Sequence, residues 1–168
     1  IGVDPDITVS ADSLFERITS EEIWACTTCK ACDEICPVNI EILDKILDMR
    51  RYLSLMESNF PTELGGAYMN MENQGNPWGM SNATRGDWSK KVEGIDIVEP
   101  GDAFDHEYLY WVGCAGSFDD KNQKVSEAMA KLMKRAGLDF AILGPNEMCT
   151  GDPARRSANE YIYQMLAM

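Results

Sequence analysis

Cys26-Thr27-Thr28-Cys29-Lys30-Ala31-Cys32-Asp33-Glu34-Ile35-Cys36-Pro37 is the stretch whose reading decides this fold. Its spacing, C-x2-C-x2-C-x3-C-P, is that of a backbone loop that wraps iron and sulfide in thiolates. Sulfurs at i, i+3 and i+6 suit one wrapped turn of chain with N–H groups facing inward, and the proline turns the chain away. Cys26, Cys29, Cys32 and Cys36 are therefore the expected metal ligands, and electron transfer the expected business of the loop. The fourth cysteine serves either the same cluster or a second one. Four-cysteine zinc sites also use C-x2-C pairs, but they usually separate two pairs by about a dozen residues or more. Disulfides suit so short a loop poorly, because neighbouring thiols miss the required geometry.

Working outward, residues 1–58 read as helices around that loop. Thr19 and Glu22 have capping-box spacing, which predicts a short helix through Glu21, Ile23 and Trp24 that delivers the chain to Cys26. Asn39 is the expected N-cap of a helix from Ile40 to Glu57, with Leu43, Ile46, Leu47, Leu53 and Met56 on its apolar side. From Asn59 to Gly101 there are seven glycines and three prolines with little apolar periodicity, so residues 59–102 read as an irregular connection. Trp78 and Trp88 are its expected pins.

Residues 103–168 read as the start of an α/β domain. Tyr108 to Val112 is a short apolar run of the buried parallel-strand kind, leading into Gly113-Cys114-Ala115-Gly116. A helix is predicted over Asn122–Ala136, with Val125, Ala128, Met129, Leu132 and Met133 on its core face and Gly137 ending it. A second strand over Phe140–Leu143 follows. Asp152, with Pro153 behind it, is the expected cap of one last helix running through Tyr161, Ile162 and Leu166. That order implies two parallel strands joined by a crossover. Cys114 and Cys149 then fall just past the carboxyl ends of neighbouring strands, the edge where open α/β sheets bind ligands. The two sulfurs are expected to approach closely enough to share one cofactor.

Composition removes several classes. A net charge of −13, with 28 carboxylates against 15 lysines and arginines, excludes a nucleic-acid partner. No apolar run approaches the length of a membrane span. Six cysteines without a signal peptide imply a reducing compartment. The chain starts at Ile1 and stops within a helical run at Met168, which predicts further sequence at both ends. Gly113–Gly116 matches a dinucleotide fingerprint incompletely. Asp152, Arg155 and Arg156 read as an exposed charged first turn, and His106 as a solvated surface residue. No hydrolase constellation has an anchor.

Taken together, these motifs resemble a known group. The cysteine loop, Gly75-Asn76-Pro77-Trp78-Gly79 with Arg85 and Trp88 beyond it, Val112-Gly113-Cys114-Ala115-Gly116, and Leu143-Gly144 followed by Glu147 and Cys149-Thr150-Gly151-Asp152-Pro153-Ala154-Arg155-Arg156 resemble the heterodisulfide-reductase-related iron–sulfur oxidoreductases. The resemblance implies an α+β chain. A helical ferredoxin-like 4Fe-4S module precedes an α/β, Rossmann-like cysteine-rich half-domain with parallel strands. It further implies an electron-transfer segment of a respiratory oxidoreductase with one or two 4Fe-4S clusters. Its electrons run between a flavoprotein, or an oxidised organic substrate, and a quinone or membrane partner, at the cytoplasmic face of the membrane. The form that links electron-transfer flavoprotein to quinone fits the Gly-Asn-Pro-Trp-Gly segment best. Cys114 and Cys149 match two positions that ligate a further iron–sulfur cluster in such proteins. The chain departs from the pattern where Thr150 replaces a paired cysteine, and the later C-x2-C is absent. A thiol–disulfide or heterodisulfide reductase-type catalytic subunit and a non-redox, metal-stapled assembly module are the alternatives.

Overall fold

The computed structural model describes Phe15 and residues 17–168, and the chain divides into two compact units, Ile1–Phe60 and Pro61–Met168. In the first, α1 (Ser20–Ala25) starts on a complete capping box. Thr19 Oγ1 accepts from the Glu22 N–H at 3.3 Å, and the Glu22 carboxylate accepts from the Thr19 N–H at 2.8 Å, so two otherwise orphaned donors are satisfied. α2 (Ala31–Ile35) is a short turn inside the cysteine loop, and α3 (Ile42–Arg51) runs into a π-helical turn over Tyr52–Met56. Among the described residues of this unit, Ile23, Leu43 and Leu53 are the buried apolar side chains.

Asn39 is not the N-cap of α3. It sits in the left-handed region at φ +54°, a conformation asparagine tolerates, and turns the chain ahead of the helix. The cap is supplied from the cysteine loop, where Asp33 Oδ1 accepts from the N–H groups of Ile42 at 2.7 Å and Leu43 at 3.1 Å. A carboxylate at those orphan donors does the work of a local cap and complements the helix dipole.

The second unit opens with α4 (Thr62–Gln74), in the segment expected to be irregular. Its glycines Gly65 and Gly66 weaken the helical signal, yet Tyr68 and Met71 are buried, α4 packs on the C-terminal helix, and the Tyr68 hydroxyl donates to Ser157 O at 3.3 Å. Tertiary packing overrides propensity here. Then come β1 (Asp96–Ile97), β2 (Tyr108–Leu109), α5 (Gly113–Phe118), α6 (Asp120–Arg135), β3 (Phe140–Ile142), α7 (Asp152–Arg156) and α8 (Glu160–Ala167). β3 is central, with β1 and β2 parallel on either side of it; Asp96 pairs with Ala141, and Tyr108 with Phe140. The two expected strands are thus parallel neighbours, and β1 is a third that the sequence did not announce.

Phe140 and Ile142 lie in a buried cluster with Trp88, Val92 and Ala130, ringed by Ile95, Tyr110, Val112 and Met133. The Trp88 and Tyr110 rings meet edge-on at 6.1 Å, a favoured aromatic geometry. Trp88 therefore pins the sheet. Trp78 is 44 % exposed and pins far less.

Four further expectations change. Tyr108 and Leu109 are exposed rather than buried, because β2 is an edge strand and only Tyr110 and Val112 after it join the core. Val125 and Leu132 on α6 are 64 % and 61 % exposed, and Ser126 and Ala130 are buried instead. Small residues decide this: a Cβ on Gly116 would lie 2.6 Å from Ser126 Oγ and 2.8 Å from Val112 Cγ1, so α5 and α6 press together where side chains are short. The single last helix is two. Ala158 takes φ +60° between α7 and α8, and Asn159 Oδ1 caps α8 by accepting from Ile162 N–H at 3.2 Å. Asp152 is the first residue of α7 rather than its cap. Among the described residues no helix is long and apolar enough to cross a membrane.

Candidate functional site

The cysteine loop of the first unit is held at two points by charged side chains, Arg50 from α3 and the loop's own Asp33. The Arg50 guanidinium, buried and stacked 5.1 Å from the Trp24 ring, donates from Nε and Nη2 to Ile23 O at 3.2 and 2.8 Å. Nη2 also donates to Trp24 O at 3.4 Å and Cys26 O at 2.5 Å. Those carbonyls end α1 and have no helical partner of their own. Arg50 thus fixes the entry to the loop, and Asp33 fixes its middle against α3.

Within the loop each sulfur has a neighbour. Thr28 N–H donates to Cys26 Sγ at 3.4 Å, Ile40 N–H to Cys36 Sγ at 3.3 Å, and the Cys32 thiol donates to Asp33 Oδ1 at 3.5 Å. The N–H of Ala31 pulls the Cys29 thiol below its ordinary pKa, whereas partial burial and then the Asp33 carboxylate push Cys32 up. Thr28 and Lys30 hold φ of +57° and +63°, left-handed positions that turn the chain sharply between the cysteines. The donor set fits thiolate-held iron. The four sulfurs are free thiols, and among the described residues no three His, Cys, Asp or Glu side chains converge to metal-ligating distance.

In the second unit the structure brings Cys114 and Cys149 together. Cys114 opens α5 just after β2, and Cys149 follows β3 and the 3-10 turn Gly144–Asn146. The Cys114 thiol hydrogen-bonds the Cys149 sulfur, which draws Cys149 down to a pKa of about 6 and raises Cys114. Gly151 N–H donates to Cys149 Sγ at 3.5 Å, and Cys149 N–H donates to Gly75 O at 3.2 Å. Gly75, at φ +66°, ends α4 where a Cβ would lie 2.8 Å from Met148 Cε. The next residue, Asn76, is fully buried and stitches its loop by donating to Gln74 O and Met80 O at 3.0 and 2.8 Å. The Gly-Asn-Pro-Trp-Gly segment is therefore the backing of Cys149.

Arg85 and Glu147 complete this site. Each follows a 3-10 turn, Asn82–Thr84 and Gly144–Asn146 respectively, and the two turns pack together. Their side chains are 1 % and 2 % exposed and meet at 2.7 Å, with Arg85 Nη2 also 3.4 Å from Cys114 Sγ. Glu147 accepts in addition from Val112 N–H at 3.0 Å and Gly113 N–H at 2.8 Å. The donors of the glycine stretch are thus occupied by a carboxylate of the same chain. A close pair of thiols beside a buried guanidinium suits a soft metal centre or electron exchange.

Elsewhere, Arg156 and Asp152 form an exposed pair at 2.8 Å, in line with a solvated first turn. His106 is less solvated than expected, since its Nδ1 lies 2.9 Å from Asp139 Oδ1. Arg50, Asp33 and Glu147 are the residues sequence reading did not assign. Their signal was a charge placed inside or beside a motif: Asp33 within the loop, Glu147 two residues before Cys149, and Arg50 on a helix facing the loop.

Residues 108–168 match the family model of the cysteine-rich domain. The chain is 45 % identical over 156 residues to the "Probable iron-sulfur-binding oxidoreductase FadF" of Bacillus subtilis, covering 89 % of this chain and 22 % of that protein. It is 44 % identical over 155 residues to the "EtfAB:quinone oxidoreductase" of Syntrophomonas wolfei, covering 91 % and 22 %. To the "Probable membrane-anchored ferredoxin" of Chromohalobacter salexigens it is 37 % identical over 164 residues, covering 98 % and 24 %. The chain thus spans about a fifth to a quarter of the length of these curated relatives. No solved structure matches it significantly. The resemblance drawn from the motifs is borne out at this level: residues 108–168 match the cysteine-rich domain, and the chain is similar to part of proteins named as iron–sulfur oxidoreductases and as a heterodisulfide reductase subunit.

Proposed function

We propose that this chain is an iron–sulfur electron-transfer segment of a respiratory oxidoreductase, relaying electrons from a flavoprotein towards quinone in a membrane-associated complex. The observation that carries this reading is the anchored cysteine loop, four thiols within eleven residues held by Arg50 and Asp33. Cys26, Cys29 and Cys32 hold one 4Fe-4S cluster, and Cys36 holds the same cluster or a second one. Bound there, the cluster supplies one-electron acceptance and release without a large change of shape. The chain's own residues position it: Arg50 fixes the Cys26 carbonyl, Asp33 fixes the loop against α3, and the N–H groups of Thr28 and Ile40 donate to the sulfurs of Cys26 and Cys36. Cys114 and Cys149 provide two ligands of a further iron–sulfur centre, with the remaining ligands supplied from outside these residues. On this reading the first unit is a ferredoxin-like module and the second the start of a Rossmann-like cysteine-rich domain. The names of the curated relatives support the donor and acceptor classes.

Anaerobically purified protein is expected to contain iron and acid-labile sulfide and to show broad visible absorption that bleaches with dithionite. Cys29→Ser is expected to lose the loop's share of both. Stoichiometric zinc without iron ends the reading. A metal centre that holds iron but cannot be cycled within reach of flavin or quinone potentials indicates a structural staple instead.

The contact between Cys114 and Cys149 also favours a second reading, a thiol–disulfide couple in which the two thiols lose two electrons and two protons to a flavin. Counting free thiols before and after mild anaerobic oxidation decides between the two: loss of two thiols per chain, with no iron lost in Cys114→Ser, supports the couple.

A further inference from the structure

Arg85 is almost wholly buried, and its partners leave much of its guanidinium unused. Nη2 meets Glu147 at 2.7 Å and Cys114 Sγ at 3.4 Å, and Phe118 lies under the guanidinium at 5.5 Å. Its Nε and Nη1 have no hydrogen-bond partner among the described residues. Stability does not account for such a group. Replacing a buried ion pair by apolar side chains is often neutral or stabilising, and buried donors without acceptors are destabilising.

Position accounts for it better. Glu147 takes the N–H groups of Val112 and Gly113, the two residues immediately before Cys114. The carboxylate therefore ties Arg85 to the backbone that carries Cys114. Cys114 Sγ in turn touches Cys149, so the guanidinium and both sulfurs form one connected group.

We propose that Arg85 is a positioning residue that donates to Cys114 Sγ and makes the iron–sulfur centre held by Cys114 and Cys149 easier to reduce. This rests on the proposed role of that pair as ligands. One electron is gained from a reduced flavin and no proton is taken up. The added negative charge falls beside a fixed positive one in a site of low dielectric, where such proximity is strongest. Hydrogen bonds to cluster sulfurs tune potentials in this way.

The test is an anaerobic redox titration of the full-length oxidoreductase, followed by electron paramagnetic resonance with iron content measured in parallel. Cys114→Ser identifies the signal belonging to the pair, and Cys29→Ser the signal belonging to the loop. Arg85→Met is expected to shift the one-electron equilibrium of the pair's centre towards the oxidised form by roughly tenfold or more, which is about 59 mV. The loop's signal is expected to stay where it is. Arg85→Lys keeps a charge opposite Glu147 without the planar fork that reaches the sulfur, so a smaller shift in the same direction is expected; it decides the matter if Arg85→Met does not fold. Unmoved midpoints in both variants, with the Cys114-dependent signal present, overturn the role of Arg85 and leave the ligand role standing. If Cys114→Ser removes neither iron nor any signal, both fall.

Discussion

Replacing Glu147 by glutamine hardly changes volume, yet it removes a charge and converts one acceptor oxygen into a donor. In the folded protein that carboxylate receives Arg85 Nη2 at 2.7 Å and the N–H groups of Val112 and Gly113 at 3.0 and 2.8 Å. Glutamine leaves the guanidinium buried without a counter-charge, and its amide nitrogen faces at least one of those donors. Breaking a buried pair by removing one partner costs about 3–5 kcal/mol, and an unsatisfied buried donor adds about 1–3 kcal/mol. The retained carbonyl oxygen softens the second effect, so about 4 kcal/mol is expected. With a urea dependence of about 2 kcal/mol per molar, the unfolding midpoint falls by roughly 2 M. Trp88, buried in the same unit, reports the transition by fluorescence. The double variant Arg85→Met with Glu147→Leu is expected to recover more than half of the loss, because no charge is left unpaired. A Glu147→Gln midpoint within about 0.5 M of the parent, or about 1 kcal/mol, refutes the reasoning, since it requires that Arg85 never relied on this carboxylate.

Arg50→Ala is expected to destabilise the first unit by at least about 2 kcal/mol, because charged hydrogen bonds to three backbone carbonyls are lost; amide exchange across Cys26–Cys36 is expected to accelerate ahead of that in α3. The backbone N–H groups of Leu43 and Ile42 hold the Asp33 pKa below the ordinary carboxylate value. Its stabilisation is therefore present above the unfolded value and lost as pH falls through the folded one. Melting temperatures measured downward from pH 5 are expected to drop less steeply in Asp33→Asn, whose amide oxygen still accepts but does not titrate. The Asp139 carboxylate raises the His106 pKa through their hydrogen bond, so that stabilisation is present below the unfolded histidine value and disappears as pH rises through the folded one. In His106→Gln, the difference between melting temperatures at pH 5.5 and 8.5 is expected to lose this contribution.

The parts of the fold written locally were legible. The Thr19–Glu22 cap, the Gly137 stop of α6 and the parallel pairing of 108–109 with 140–142 depend on residues a few positions apart, or on an order of elements that admits few topologies. The convergence of Cys114 and Cys149 followed from that same order. What escaped depended on distant partners. α4 hides behind Gly65-Gly66 because its reason to form is Tyr68 and Met71 packed against other elements. The exposed stripe Val125–Leu132 looked like a core face because bulk was weighed over closeness, and Gly116 against Ser126 reverses that ranking. Arg50, Asp33 and Glu147 had no assigned role until the carbonyls and amides they serve were in view.

The reach of Arg50 sets an order of events during synthesis. Its acceptors at Ile23, Trp24 and Cys26 lie 24 to 27 residues behind it, and those of Asp33 lie 9 and 10 ahead. Closing loops of that size is fast and loses little more entropy than closing shorter ones. The nascent cysteine loop nevertheless has no anchor at its entrance until the ribosome has passed Arg50. From then on every contact described for the loop lies within a span of fewer than forty residues, so it assembles before the second unit has been translated.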